Sequence, residues 1–453
     1  MSVTTSPHHP SVEERRAVGR AARARLPRKD AGDWNPDGRG HDALRTVLAQ
    51  NAVRAPDLVP IRHGRMAASP WTYHRGAAAV MAADLASRPD SGLTVQLCGD
   101  AHVLNFGLWA TPERQLSFDL RDFDETLPGP FEWDLMRMVA SLQVLARDAG
   151  LTNAKEADRA VLAAVDGYRS GISQYAEARF LDIWYAQITA EDLLSVVVAE
   201  ERADIAARLH KRARKRSNLG AAKKFTEVVG GRVRLVEAPP FRVRDDRAAR
   251  AIVEEVLAAY RLSLPEERRY LLDRYVLVDV VRQVVGVGSV GMRVYLLLLQ
   301  GAGRDDLLFL QAKQAGPSVY EAFLQPSRYP NHGQRVTVGR RFIQSSTDIF
   351  VGWTTVQGID FYVRQFRDMK VIPSSEQVTP WLRQFARKCG LVLARAHATT
   401  GDAAAIDAYL GKGRTFDSAV VGFARAYAVQ NQHDHAQLVE AIRDGEIDSA
   451  PGW

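Results

Sequence analysis

Along the chain the spacing of apolar residues alternates between a helical and an extended period. After a polar stretch, 1–40, with basic runs and Pro/Gly punctuation, read as a partly ordered leader or short helix, helical signals run from His41 to Asn51 and again over Ala77–Ala86. They end at the breaker Arg88-Pro89-Asp90. Leu93–Leu97 and Leu116–Leu120 alternate as short strands, each delivering a polar loop. From Phe131 the period turns helical, with Leu135, Met138, Val139 and Leu142 on one stripe, and helices are expected as far as about Lys224. A loop holding Gly230-Gly231 and Pro239-Pro240 closes that region, and a further helix is expected over Asp246–Leu262.

Beyond Pro265 the character changes. The runs VVGVGSVG, MRVYLLLLQ, GAGRDD and LLFLQAK over Val284–Leu310 and just beyond are glycine turns between apolar β-type segments, with more strands expected at Arg335–Ile343 and Asp360–Phe366. Helices resume near Val378. The chain is therefore read as α+β with four regions: an N-terminal leader and helices (1–60), a helical lobe carrying acidic loops (61–270), a β-rich lobe (271–375) and C-terminal helices packing on the first lobe (376–453).

Composition adds boundaries. With 46% hydrophobic and 25% charged residues in 453, the chain has enough core for two lobes. A net charge of +7 favours a polyanionic ligand such as a nucleotide, and leaves nucleic-acid binding as a weaker alternative. Two cysteines without a CxxC pair argue against a disulfide framework or cysteine zinc site and suggest a reducing, cytoplasmic setting; no signal-peptide core or bilayer-length apolar run is present. His8-His9, and His433 with His435, lack a metal-ligand pattern.

The candidate chemistry lies in the two loops after the short strands. Phosphoryl transfer needs a carboxylate that accepts the proton of the attacking hydroxyl, and oxygen ligands that hold Mg²⁺ on the phosphates. Asp100, with Asn105 five positions later, offers the first carboxylate and a metal ligand, and Asp122 at the end of the next strand offers a second metal ligand.

Here a resemblance enters. Gly99-Asp100-Ala101-His102-Val103-Leu104-Asn105 resembles the H-G-D-x-H-x-x-N loop of aminoglycoside and choline phosphotransferases, and the H-R-D-x-x-x-x-N loop of protein kinases. Asp122-Phe123-Asp124 is similar to their metal-binding segment, and Phe131-Glu132-Trp133-Asp134-Leu135 to the start of the helix that follows. Cys98 departs from the usual His. What the resemblance implies is ATP and Mg²⁺ as cofactors, Asp100 as base, and Asn105, Asp122 and Asp124 at the metal.

The phosphate-covering half of such a site would lie downstream. Gly286-Val287-Gly288-Ser289-Val290-Gly291 is a G-x-G-x-x-G set between strands, the kinase context, whereas a dinucleotide fingerprint opens a helix. Lys313, closing LLFLQAK, matches the kinase lysine on the third strand, and Glu321 is the candidate partner for it. With the catalytic loop first and the glycine loop second, the resemblance implies a two-lobed, protein-kinase-like fold, circularly permuted. Two segments compete to lie beside the catalytic loop: FARKCGLVLARAHA and WTYHRGAAAVMAADLA.

The chain as a whole resembles the uncharacterised bacterial family called domain of unknown function 2252, through LVPIRHGRM, SPWTYHRGAA, LCGDAHVLNFG, VVGVGSVGMR and LFLQAKQAGPSVYEAF. Arg62, Arg65, Arg75 and His102 are candidate substrate or phosphate contacts. The expectation is a phosphotransferase acting on a hydroxyl of a small molecule or protein. The alternatives are a nucleotide-binding pseudokinase or regulatory module, and transfer of the nucleotidyl (AMP) group.

Overall fold

Two short antiparallel pairs set the acidic loops side by side. In the computed structural model β1 (Thr94–Leu97), β2 (Phe106–Ala110), β3 (Leu116–Leu120) and β4 (Leu127–Pro130) pair as β1 with β4 and β2 with β3. The registers Leu97↔Leu127 and Phe106↔Leu120 bring residues 98–105 alongside 121–126. The structure describes residues 10–451 apart from 152, 196–198, 245–246 and 368. His8-His9 and Asp246 therefore lie outside the described residues.

These pairs rest on a helical core. The helix Phe131–Asp148 is buried on every side through Ala146, as expected of a helix apolar all round. It packs against Thr415–Arg443 and Ala154–Ala176, and the latter against Leu382–Ala398. Small residues let that last pair approach closely: a Cβ on Gly167 would lie 2.1 Å from Arg387 O, and one on Gly390 2.0 Å from Ala164 O. At the N-terminus Ser11 and Glu14 form a capping box for the helix Val12–Arg25, which lies on Ala403–Leu410 with Arg15 paired to Asp402.

The second layer is a sheet. After a hairpin of β5 (Thr226–Val229) and β6 (Arg232–Leu235) come β7 (Arg242–Val243), β8 (Val276–Gln283), β9 (Val294–Gln300), β10 (Leu307–Ala315), β11 (Gly352–Val356) and β12 (Ile359–Gln365). The antiparallel sheet has the order β11-β12-β10-β9-β8-β7. Alternation splits its side chains between two cores. Leu297, Leu299, Leu308, Leu310 and Val363 meet Val253, Val256 and Tyr260 of the helix Arg247–Tyr260. Val281, Leu296, Leu298 and Phe309 meet Phe225 and Leu235.

With 54% helix and 16% strand the chain is mixed α and β, as expected. Several elements differ from the sequence reading. Arg335–Ile343 is not a strand: it belongs to the helix His332–Ile343, started by Asn331, whose Oδ1 accepts from Gln334 N at 2.7 Å. Its Val336, Gly339 and Ile343 share a buried helical stripe, so β-branched composition misled. Gly230-Gly231 is a hairpin turn, and the sheet begins earlier, with the short edge strand Arg242–Val243 and then β8 from Val276. No helix among the described residues is long and apolar enough to cross a membrane.

Candidate active site

The loop after β1 is held by a buried carboxylate. Asp134 Oδ2 accepts from Cys98 N at 2.6 Å and Oδ1 from Gly99 N at 3.0 Å, while His397 Nε2 lies 3.3 Å from Oδ2. Asp134 therefore positions the loop and does not face the cavity. Gly99 is required here: its φ is +89°, and a Cβ would lie 2.3 Å from Glu125 O. The two competing segments lie on either side. FARKCGLVLARAHA ends beside β1, where Gln96 N donates to Thr400 Oγ1 at 2.9 Å, and the helix Pro70–Gly76 supplies His74 to the other flank.

Asp100 projects from this loop with its carboxylate partly exposed. Burial raises its pKa above the ordinary carboxylate value, opposed by Arg137, whose Nε donates to Oδ1 at 2.9 Å. His102 Nε2 lies 3.8 Å from Asp100 Oδ2, and burial among arginines keeps its imidazole neutral, well below the usual pKa.

Asn105 takes a different part from the one its spacing implies. It is fully buried; Nδ2 donates to Asp100 O at 2.8 Å and Asp122 O at 3.1 Å, and Oδ1 accepts from Asp122 N at 2.9 Å. Its amide is a buckle between the two loops rather than an oxygen facing the cavity. Asp122 does line the cavity, and its Oδ1 is buried with no hydrogen-bond partner. Burial would raise its pKa, but Lys313, Arg364, Arg121 and Lys370 together bring it below the ordinary value.

The segments after β8 and at the end of β10 close the opposite wall. Lys313, only 3% exposed, binds the Asp124 carboxylate and donates to Ser289 Oγ at 2.5 Å, and Tyr362 donates to Asp124 Oδ1 at 2.7 Å. Burial works against the ammonium, yet Asp124 and its neighbours raise the pKa of Lys313 overall. Asp124 is thus the counter-ion of Lys313, in place of the Glu321 pairing expected, and it lines the cavity. Glu321 instead caps its own turn, accepting from Ser318 N at 2.9 Å and Ser327 N at 3.1 Å, with Arg335 at 3.5 Å. The intervening helix His332–Ile343 carries no acidic residue to pair with the lysine.

The glycine loop is strapped from the N-terminal region. Arg65 donates to Gly286 O at 2.5 Å, Arg54 donates to Gly288 O at 2.7 Å and also to Val290 O, and Ala55 N donates to Gly291 O at 2.7 Å. Gly286 and Gly291 have positive φ, at +65° and +90°. Arg62 does not line the cavity but stands behind its wall, fully buried and bonded to Val47 O, Asn51, Gln50 and Gly76 O. Arg75 does line the cavity with Asp100, Asp122, Lys313, Gly286, Gly288 and Ser289; the volume they share with their neighbours is about 820 Å³.

A family model described as an uncharacterized protein conserved in bacteria (DUF2252) matches residues 54–441. The chain belongs to the DUF2252 family. Among curated proteins no match is found, and none is found among solved structures. The DUF2252 match covers both acidic loops, the glycine loop and Lys313, and begins at Arg54, the residue that straps the glycine loop.

Sequence reasoning missed several residues that line the DUF2252 cavity or stand behind its wall. Arg137, fully buried behind Asp100, lies three positions after Asp134, on a helix whose apolar stripe is its clearest signal. Arg364 is on the same strand face as Tyr362, two residues along, a relation visible once β12 is drawn. Arg121 adjoins Asp122 and is overshadowed by it in the motif; burial pushes its pKa down to about 10. Glu125, also lining the cavity, is raised by burial to about 7. Among the described residues no group of three or more His, Cys, Asp or Glu side chains is placed to hold a metal ion alone.

Proposed function

We propose that the chain is an ATP- and Mg²⁺-dependent phosphotransferase that phosphorylates a hydroxyl group, on a circularly permuted kinase-like fold. One observation carries the reading: Asp100 and Asp122 share one cavity with Lys313 and the Gly286–Gly291 loop, from segments nearly two hundred residues apart. The strand–glycine loop–strand order, the lysine on the next strand and the helix after it also support it.

Mg²⁺ characteristically takes one or two protein carboxylates and completes its shell with water and phosphate oxygens. The unpartnered buried Oδ1 of Asp122 fits that demand. Asp122 would hold the ion, which when bound neutralises charge on the phosphates. Asp100, raised toward neutrality by burial yet tied to Arg137, would orient the acceptor hydroxyl and hold its proton. Lys313, fixed by Asp124 and Ser289, would face the phosphates together with the glycine-loop amides.

The test is transfer from labelled ATP under Mg²⁺ by the wild type and by Asp100→Asn. The variant is expected to keep nucleotide affinity and lose turnover; equal activity would sink the assignment. Product mass separates an added phosphate from an added AMP. The inward-turned Asn105 favours one second reading, a nucleotide-binding module without turnover, which predicts nucleotide affinity but no transfer by the wild type.

A further inference from the structure

A second cavity, of about 490 Å³, lies apart from the acidic one and shares no lining residue with it. Its floor is Gly107 and Leu108 of β2 with Phe118 of β3. One wall is the helix Ala199–Arg214, which presents Ile205, Arg208, Leu209 and Arg212, the i, i+3, i+4, i+7 stripe of a single face. The segment after Val371 closes the other side with Val378, Trp381 and Phe385. Small-molecule sites have volumes of about 300–1,000 Å³ and pair a largely apolar lining with a few polar groups, and this cavity has both properties.

The apolar lining is not completed by protein. Ile205 and Leu209 are only half-buried although they line the cavity, and Trp381 keeps 42% exposure. Apolar surface left open in a concave site favours an apolar occupant. The two arginines give the chemistry of that occupant's other end. Arg208 is exposed and Arg212 half-buried, one helical turn apart, and neither guanidinium makes a hydrogen bond or ion pair among the described residues. Glu376, the acidic side chain of the lining, accepts from Ser375 Oγ at 3.2 Å and pairs with neither arginine. Two cations against one carboxylate leave the lining positive.

We propose that this cavity binds an amphipathic anion, with an acyl or alkyl chain lying on Leu108, Phe118, Leu209 and Phe385 and a carboxylate or phosphate held by Arg208 and Arg212. Guanidinium forks suit either oxyanion, and the aliphatic stems of the arginines cover the first carbons of the chain. The site does not depend on the phosphotransferase reading. It adjoins the acidic cavity through the chain itself: β2 begins directly after Asn105 and β3 ends two residues before Asp122, so an occupant rests on the hairpin that carries both.

The full chain is titrated calorimetrically with octanoate, octyl phosphate and octanol, each below its micelle-forming or solubility limit. At least one anion is expected to bind about tenfold or more tighter than octanol, as charge-assisted hydrogen bonds require. The tighter anion identifies the head group, and equal affinities mean that either serves. The double variant Arg208→Gln/Arg212→Gln should weaken the anion about tenfold and change octanol by less than about twofold, while Arg208→Lys/Arg212→Lys should keep part of the affinity. Neither arginine is buried, so both variants should melt with the wild type. Binding should also change the fluorescence of Trp381, and that change should be lost in Trp381→Phe. Equal binding of all three compounds, no saturable binding of any, undiminished anion binding in the double Gln variant, or a fluorescence change that survives in Trp381→Phe overturns the proposal.

Discussion

Arg137 Nε donates to Asp100 Oδ1 at 2.9 Å, and the same buried guanidinium donates through Nη2 to His74 O at 2.5 Å. The arginine is therefore fixed at one end by backbone and neutralises the carboxylate at the other. Burial raises the Asp100 pKa, and Arg137 is the chief influence holding it down. Arg137→Met should raise it further. A base must be ionised to work, so the acidic limb of the pH–kcat/KM profile should move to higher pH, and Arg137→Lys should move it back in part. A fall in activity with an unshifted limb would assign Arg137 to structure alone.

Lys313→Met should have two separable effects. It removes the cation facing the phosphates, so affinity for nucleotide should fall. It also leaves Asp124 without its counter-ion in a largely buried place. Breaking a buried pair costs roughly 3–5 kcal/mol, and the lower end applies because the Asp124 side chain keeps 28% exposure. Chemical denaturation measures the second effect. Removing both partners, in Lys313→Met/Asp124→Leu, should recover part of the stability without recovering nucleotide binding.

Gly99→Ala tests the loop geometry. The substitution forces a left-handed residue and a clash with the Glu125 carbonyl 2.3 Å away. Strain of this kind costs about 1–3 kcal/mol. Transfer activity should fall more steeply than stability, because the neighbouring Asp100 moves with the loop. Wild-type turnover in the Gly99→Ala variant would show that the loop tolerates another path.

Glu132 gives a pH dependence of stability. Its carboxylate is 3% exposed, accepts from Ser91 N at 2.8 Å through Oε1, and leaves Oε2 unpartnered; burial raises its pKa from 4.5 to about 7. A raised folded-state pKa means that the folded chain binds the proton more tightly than the unfolded chain. The contribution is fully present below pH 4.5 and is lost as pH rises through 7, about 3 kcal/mol in all. Glu125, also raised to about 7, acts in the same sense. Unfolding at pH 5 and pH 8 should therefore show the wild type weaker at pH 8, with a smaller difference in Glu132→Gln.

The strand–loop–strand course around Gly286–Gly291 was legible because glycines punctuate apolar runs, and the helix from Phe131 because its period is unambiguous. Arg335–Ile343 was not, since Arg-Val-Thr-Val reads as extended and only the Asn331 cap and the buried stripe make it helical. For the site, motif spacing brought out Asp100, Asp122 and Lys313, which do share a cavity. It gave neither the inward turn of the Asn105 amide nor the true partner of Lys313, because spacing fixes neither the direction of a carboxamide nor which carboxylate reaches a lysine. Asp124 rather than Glu321 meets Lys313, a long-range pairing without local signature.

The arginine straps on the glycine loop have a consequence for its polarity. In a trans peptide the carbonyl and the amide point in opposite directions. Arg65 draws the Gly286 oxygen to itself and Arg54 draws that of Gly288, so the N–H edges of Val287 and Ser289 face the other way by construction. The loop's dipoles are thus aligned before any ligand arrives. Its affinity for an anion would come from orientation already fixed in the folded chain, and binding there would forfeit little backbone entropy.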